Sequence, residues 1–263
     1  MAENSKIEWT DHTVNLWWGC AKVHTGCKNC YAEYLSDTRY KNDLWGENAP
    51  RKRIKSAFKD LNKYQRQARA EGRKIRVFVG SMMDIFEPSK PLINPIEGFE
   101  TTGDIRREFF NQIDMGLFPD LVFLLLTKRP ENINKHIPLD WPFTNVWFGT
   151  SISDNDTAYT ALRHLIMETP MFSNLFLSIE PQTGPINLRS SQHIMGRIGW
   201  IIQGGESGHK KRPFNIEWAE SMKDQCKLLG IPYFFKQIDK VQPIPDHLKI
   251  RELPNFFNSV TLK

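Results

Sequence analysis

The 263-residue chain is 40% hydrophobic with a net charge of +5, and no apolar run in it approaches the roughly 18 residues that span a bilayer. That composition excludes a disordered or membrane-embedded chain and fits a large α/β fold. Three of the four cysteines crowd into one loop, which is not a disulfide framework, and the polar stretch 1–11 lacks the apolar core of a secretion signal. A reducing, cytoplasmic setting is therefore expected, with no membrane contact.

Residues 14–18 form a β-prone run, read as the first strand, that leads straight into Gly19 and Cys20. Residues 31–41 read as a helix and 44–49 as a loop. Ile54, Ala57, Phe58, Leu61, Tyr64 and Ala68 recur at helical spacing, and Gly72 is a stop. The apolar strand 77–79 ends at Ser81 and Asp84. The prolines of 88–102 point to an irregular surface loop, after which Asp104 is expected to cap a helix carrying Ile105, Phe109 and Ile113. Residues 121–126 are continuously apolar, as in a buried parallel strand, and end at Thr127, Lys128 and Arg129.

The pattern then repeats. Strands at 146–148, 175–177, 200–202 and 233–235 end respectively at Ser151, at Glu180, at Gly204, Gly205 and Glu206, and at Lys236 and Gln237. Helices are expected between them, one capped by Asn215 and stopped by Gly230. Alternating apolar strands and helices predict an α/β fold of parallel βα units. No G-x-G-x-x-G turn follows the first strand, so a partial or open (β/α) barrel of about six strands fits better than a doubly wound sheet. We expect one domain over 1–240, holding the cysteine loop at 19–33 and a basic helical insertion at 51–76, with 241–263 as a tail packed on it. In such a barrel, functional groups gather at the carboxyl ends of the strands, where each residue named above lies.

Cys20, Cys27 and Cys30 follow a C-x6-C-x2-C spacing. Three thiolates are one short of a closed structural site, which points to a [4Fe–4S] cluster with one iron open to a ligand. Zinc with His24 or His12 as fourth ligand, and unligated thiols, are the other readings. Cys226 lies on an apolar helix stripe and reads as structural. Trp9, Trp17, Trp18 and Trp45 are candidates to shield a cluster.

The stretches 7–11, 19–33, 77–86, 126–130, 178–181, 204–208 and 235–237 together resemble a phage-associated three-cysteine-motif family of uncharacterised proteins grouped with radical S-adenosylmethionine enzymes. The resemblance implies a radical-enzyme-like partial barrel of six units, with a [4Fe–4S] cluster and S-adenosylmethionine as cofactors. It implies an electron donor as partner and a 5′-deoxyadenosyl radical that abstracts hydrogen. It places Ser81 and Asp84 at the methionine amine and Ser151 or Glu180 at the ribose. Gly204 and Gly205 would permit close ligand approach, and Glu206 would accept from the ligand. Lys128, Arg129 and Lys236 either hold a substrate phosphate or carboxylate or pair with Asp84, Glu180 and Glu206.

Residues 51–76 hold eleven Lys or Arg against two acids, a local charge of +9. A nucleic acid or nucleotide is the substrate this suggests, modified or repaired at a base, unless the charges only solvate a helix face. The alternative function is a non-catalytic, zinc- or cluster-stabilised nucleic-acid-binding protein.

Overall fold

The apolar runs form strands and the periodic stretches form helices. The computed structural model describes residues 5–138, 144–208 and 210–258; residues 1–4 of the polar start and 259–263 of the expected tail lie outside them. The chain opens with β1 (His12–Val14), β2 (Trp17–Trp18), α1 (Tyr31–Arg39), β3 (Lys52–Arg53), α2 (Ala57–Glu71) and β4 (Ile75–Val79). It continues through β5 (Pro91–Ile96), β6 (Phe99–Thr101), α3 (Thr102–Asp114), β7 (Leu121–Thr127), α4 (Ile133–His136) and β8 (Val146–Ser151). It ends with α5 (Asn155–Glu168), β9 (Asn174–Ile179), α6 (Gln192–Met195), β10 (Ile198–Gly204), α7 (Ile216–Leu229) and β11 (Tyr233–Gln237).

Seven strands, in the order β1-β4-β7-β8-β9-β10-β11, make one sheet in which every pairing is parallel. It curls into a half-barrel flanked by helices, so the fold is the partial β/α barrel expected, with seven strands rather than about six. Period-two alternation sorts the side chains. Val77, Phe123, Phe148, Leu177 and Phe235 pack with Leu61 of α2, Phe109 of α3, Leu162 of α5 and Met222 of α7. Phe78, Leu124, Trp147, Phe176, Trp200 and Phe234 form a second, largely aromatic cluster on the other face. A Cβ on Gly149 would fall 2.3 Å from the Phe176 ring, so the missing side chain makes room for it.

No helix covers that inner face; the chain's two ends do. Trp9 packs on Phe78 with ring centroids 4.7 Å apart, and Phe257 on Trp147 at 5.0 Å. The segment before Phe257 also covers the open edge of β11. Phe235 N donates to the Ile250 carbonyl at 3.0 Å and Glu252 N to the Tyr233 carbonyl at 3.1 Å, which removes an unpaired edge.

Several expectations need correction. The run 14–18 is not one strand: β1 ends at Val14, and β2 pairs antiparallel with β3. Asn15 breaks it, because its amide accepts from Met82 N at 2.7 Å and donates to Ser81 Oγ at 2.9 Å. Residues 88–102 are not a plain loop, since β5 and β6 form a hairpin turned at Gly98, whose φ is +79°. Thr101, not Asp104, caps α3; Asp104 is the reciprocal partner of a capping box. Asn215 caps α7, and Gly72 and Gly230 end α2 and α7 in the left-handed conformation. His12 stacks on Tyr64 at 3.9 Å and bonds Gln67 at 3.0 Å, so it faces α2 and not the cysteine loop. Among the described residues no helix is long and apolar enough to cross a membrane.

Arg51 is not part of a surface charge face. It is fully buried against Glu87, also fully buried, at 2.8 Å, and Trp17 Nε1 donates to the same carboxylate at 3.0 Å. Burial alone pushes the Glu87 carboxyl up, and the Arg51 hydrogen bonds oppose it. Glu87→Ala leaves Arg51 as an uncompensated buried charge and is expected to lower unfolding stability by about 3–5 kcal/mol. Urea unfolding followed by tryptophan fluorescence measures the loss.

Candidate functional site

Three grips set the cysteine loop over the carboxyl ends of the strands. The first is Arg51, whose guanidinium donates to the carbonyls of Leu44 at 3.2 Å and Ala49 at 2.6 Å. The loop so held pairs Trp45 with Cys20 and donates Gly46 N to the Cys20 carbonyl at 2.9 Å. Gly19 has φ +114°, and a Cβ there would sit 2.5 Å from the Leu44 carbonyl oxygen, so this close approach requires glycine.

The second grip is Arg129. It donates to the Ala21 carbonyl at 2.8 Å, points a nitrogen at Cys20 Sγ at 3.9 Å, and pairs with Asp84 at 3.1 Å. Asp84 also accepts from Thr127 Oγ1 at 2.6 Å, Lys128 N at 3.0 Å and Phe86 N at 3.0 Å. These bonds take up its carboxylate oxygens. It is therefore a positioning residue, and the expected role at a ligand amine is corrected on this ground.

The third grip is Glu206. It pairs with Arg212 at 2.8 Å and accepts from Asn29 Nδ2, inside the cysteine loop, at 3.0 Å. Arg212 also donates to the Thr25 carbonyl at 3.2 Å. Burial pushes the Glu206 carboxyl up, but the bonds from Arg212 and Asn29 prevail and hold it below its usual range.

Within the loop, Cys27 ends a short 3₁₀ turn capped by His24, whose Nδ1 accepts from Gly26 N at 3.0 Å. Cys30 is the N-cap residue of α1. Burial, with Lys128 next in weight, lowers His24 to about 4, so its imidazole is neutral near pH 7. Burial pushes the Cys20 thiol up to about 12, and Asp84 and Glu87 add to this against the pull of Arg129.

All three thiols line one cavity of about 190 Å³, room for on the order of a dozen waters. Its polar wall is made of residues that continue the inward-facing columns of the sheet. Lys128 lies two residues beyond Leu126, Ser151 two beyond Gly149, Ser178 two beyond Phe176 and Lys236 two beyond Phe234. Its apolar wall includes Ile7, Trp9, Phe78 and Leu126. Glu180 pairs with Lys236. Lys128 donates to Ser151 Oγ at 3.3 Å and, among the described residues, forms no ion pair. It is the wall's cation left without a carboxylate.

The cavity thus gathers Cys20, Cys27, Cys30, Ser81, Asp84, Lys128, Arg129, Ser151, Glu180, Gly205, Glu206 and Lys236; of the expected site residues only Gly204 is outside its lining. Ser81 is partly engaged, its hydroxyl by Asn15 and its carbonyl by Tyr31 OH at 2.9 Å. The expected role of Gly205 is corrected: a Cβ there would fall 1.9 Å from the Ile238 carbonyl oxygen, so the protein's own backbone, not a ligand, demands glycine. Trp9 and Trp45 line the cavity; Trp17 and Trp18 do not. Cys226 is buried on α7, away from it. Asn29 and Arg212 escape sequence reading because neither follows a strand; only proximity to Glu206 in space reveals them.

Among the described residues no three His, Cys, Asp or Glu side chains are gathered closely enough to hold a metal ion. A single zinc needs its ligands drawn together, whereas a cluster binds each thiolate at a different iron corner and spreads them wider. The donor set and the two cations beside it, Lys128 and Arg129, fit the net negative charge of a thiolate-held cluster.

Asp84→Asn removes the charge that holds Arg129 and so frees the Ala21 carbonyl. In metal-free protein Cys20 is then expected to alkylate several-fold faster, while Cys226 stays inert. Timed alkylation read by peptide mass spectrometry checks both.

Searches of curated proteins and of solved structures find no match to the chain. Residues 4–249 match the family model described as Protein of unknown function (DUF5131), and the chain belongs to that family.

Proposed function

We propose that this protein is a radical S-adenosylmethionine-type enzyme in which Cys20, Cys27 and Cys30 hold a [4Fe–4S] cluster at the mouth of the half-barrel. The observation that carries the reading is convergence: three thiols of one loop open onto the same cavity as the polar tips of four inward-facing strand columns. When bound, cluster and S-adenosylmethionine would supply one-electron cleavage of the sulfonium and a 5′-deoxyadenosyl radical able to abstract hydrogen.

The chain's own residues do the rest. Arg129 and Lys128 balance thiolate charge next to Cys20. Lys128, lacking a carboxylate of its own, holds an anionic group of the ligand, with Ser151 beside it. Trp9, Phe78 and Leu126 give the bound molecule an apolar wall and keep water from it. Asp84, Glu206 and Arg212 position the loop and touch no reacting atom. An external electron donor in a reducing, cytoplasmic setting completes the scheme. The competing reading, a zinc- or cluster-stabilised nucleic-acid-binding protein without catalysis, needs the cysteines but gives no work to Lys128 or the strand-tip hydroxyls.

Reconstituted with iron and sulfide without oxygen, the protein is expected to hold about four irons and four sulfides per chain. Cys20→Ala, Cys27→Ala and Cys30→Ala each lose them and Cys226→Ala does not. Stoichiometric zinc under the same conditions would sink the cluster reading.

Adding S-adenosylmethionine to the reduced protein is expected to shift its electron paramagnetic resonance signal. Lys128→Ala weakens that binding by about 1.5–3 kcal/mol, the worth of a hydrogen bond to a charged group. No shift at saturating ligand, with no heat of binding, would leave a structural cluster only.

A further inference from the structure

We infer that the face formed by α1 and the β2–β3 ribbon binds a single-stranded nucleic acid and delivers one of its bases to the cavity. As a statement of substrate class this rests on the enzyme reading above; as a binding surface it rests on the residues that follow.

The +9 segment is smaller in space than in sequence. Arg51 is buried, Arg73 and Arg76 pair with Asp11, and Arg69 and Lys74 pair with Asp120. Lys52, Lys55 and Lys59 are exposed and, among the described residues, form no ion pair. Lys52 sits opposite Trp18 in the β2–β3 register. Trp18 meets Tyr40 edge-on with ring centroids 5.0 Å apart, and the Arg39 guanidinium lies 5.7 Å from the Tyr40 ring.

From Tyr40 the aromatic row continues back along α1. Tyr31, Tyr34 and Tyr40 are 44%, 50% and 45% exposed. Tyr31 and Tyr34 are one turn apart, so they share a side of the helix. From Tyr31 to Tyr40 the helix rises about 14 Å. Tyr31 also lines the cavity. An aromatic row thus runs from the cavity to a group of uncompensated lysines.

Soluble surfaces expose single aromatic rings routinely, but a row of them flanked by free cations is what a single strand needs. Its bases stack on the rings and its phosphates meet the lysines. A duplex hides its base faces, and a cavity of about 190 Å³ admits one unstacked base, not a helix. An acidic protein would use the lysines and leave the rings without work.

Fluorescence anisotropy of the full chain with labelled oligothymidylate, with the same strand in a duplex, and with polyglutamate as competitor tests this. Expected are tighter binding of the single strand, little displacement by polyglutamate, and a loss of about tenfold or more in the Tyr34→Ala/Tyr40→Ala pair. The Tyr34→Phe/Tyr40→Phe pair keeps its affinity. Lys52→Glu/Lys55→Glu weakens binding and flattens the logarithmic salt dependence by roughly 0.7 for each phosphate no longer neutralised. Equal binding of strand and duplex, or an unchanged affinity in a Tyr→Ala pair with native thermal unfolding, overturns the proposal. Displacement by polyglutamate overturns it in favour of an acidic protein. The titration is run on metal-free and reconstituted protein. Strand binding without cluster assembly overturns the enzyme reading alone, and cluster assembly without strand binding overturns this surface alone.

Discussion

The buried pair of Asp84 and Arg129 is the contact on which the site depends. A carboxylate and a guanidinium buried together hold their place only while every lone pair and proton between them is satisfied. Here Asp84 is satisfied by Thr127, Phe86 N, Lys128 N and Arg129, and Arg129 in turn holds the Ala21 carbonyl. The ends of β4 and β7 and the start of the cysteine loop are thereby tied at one point. The loop cannot swing away from the strands without uncovering a charge, and that fixes where Cys20 lies relative to the sheet.

The same logic runs around the cavity and decides its charge. Glu180 is matched by Lys236, Glu206 by Arg212 and Asp84 by Arg129. Each pair also joins two parts of the chain, so each carboxylate serves the frame first. Lys128 is the exception and leaves the cavity locally positive. A site so arranged favours an anionic guest, whether a thiolate-held cluster or a ligand's acidic group.

Below the site the half-barrel solves a different problem. An open barrel has an inner face without helices, and here that face is aromatic. Trp9 from one end of the chain and Phe256 and Phe257 from the other fill it, while residues 250–252 cover the edge of β11. The segments that complete the core also supply the apolar wall, since Ile7 and Trp9 belong to both. Stability and site shape are therefore linked through the N-terminal segment.

Local pattern determined a large part of this protein. Continuous apolar runs made the buried parallel strands legible, and glycine stops and an asparagine cap marked helix ends, because these depend on neighbours a few residues away. Polar residues directly after each strand named the cavity wall, because a parallel barrel sends every strand end to the same side. Counting in twos from Leu126, Phe176 and Phe234 to Lys128, Ser178 and Lys236 would also have told which tips point inward. Only the tertiary structure decided which of those polar residues are spent. That Arg51 is a buried partner of Glu87, that Arg129 neutralises Asp84, that Asn29 and Arg212 share Glu206, and that Lys128 has no carboxylate are facts of distance between segments brought together by the fold. Charge in a protein acts through space, and a linear sequence carries the charges without the separations between them.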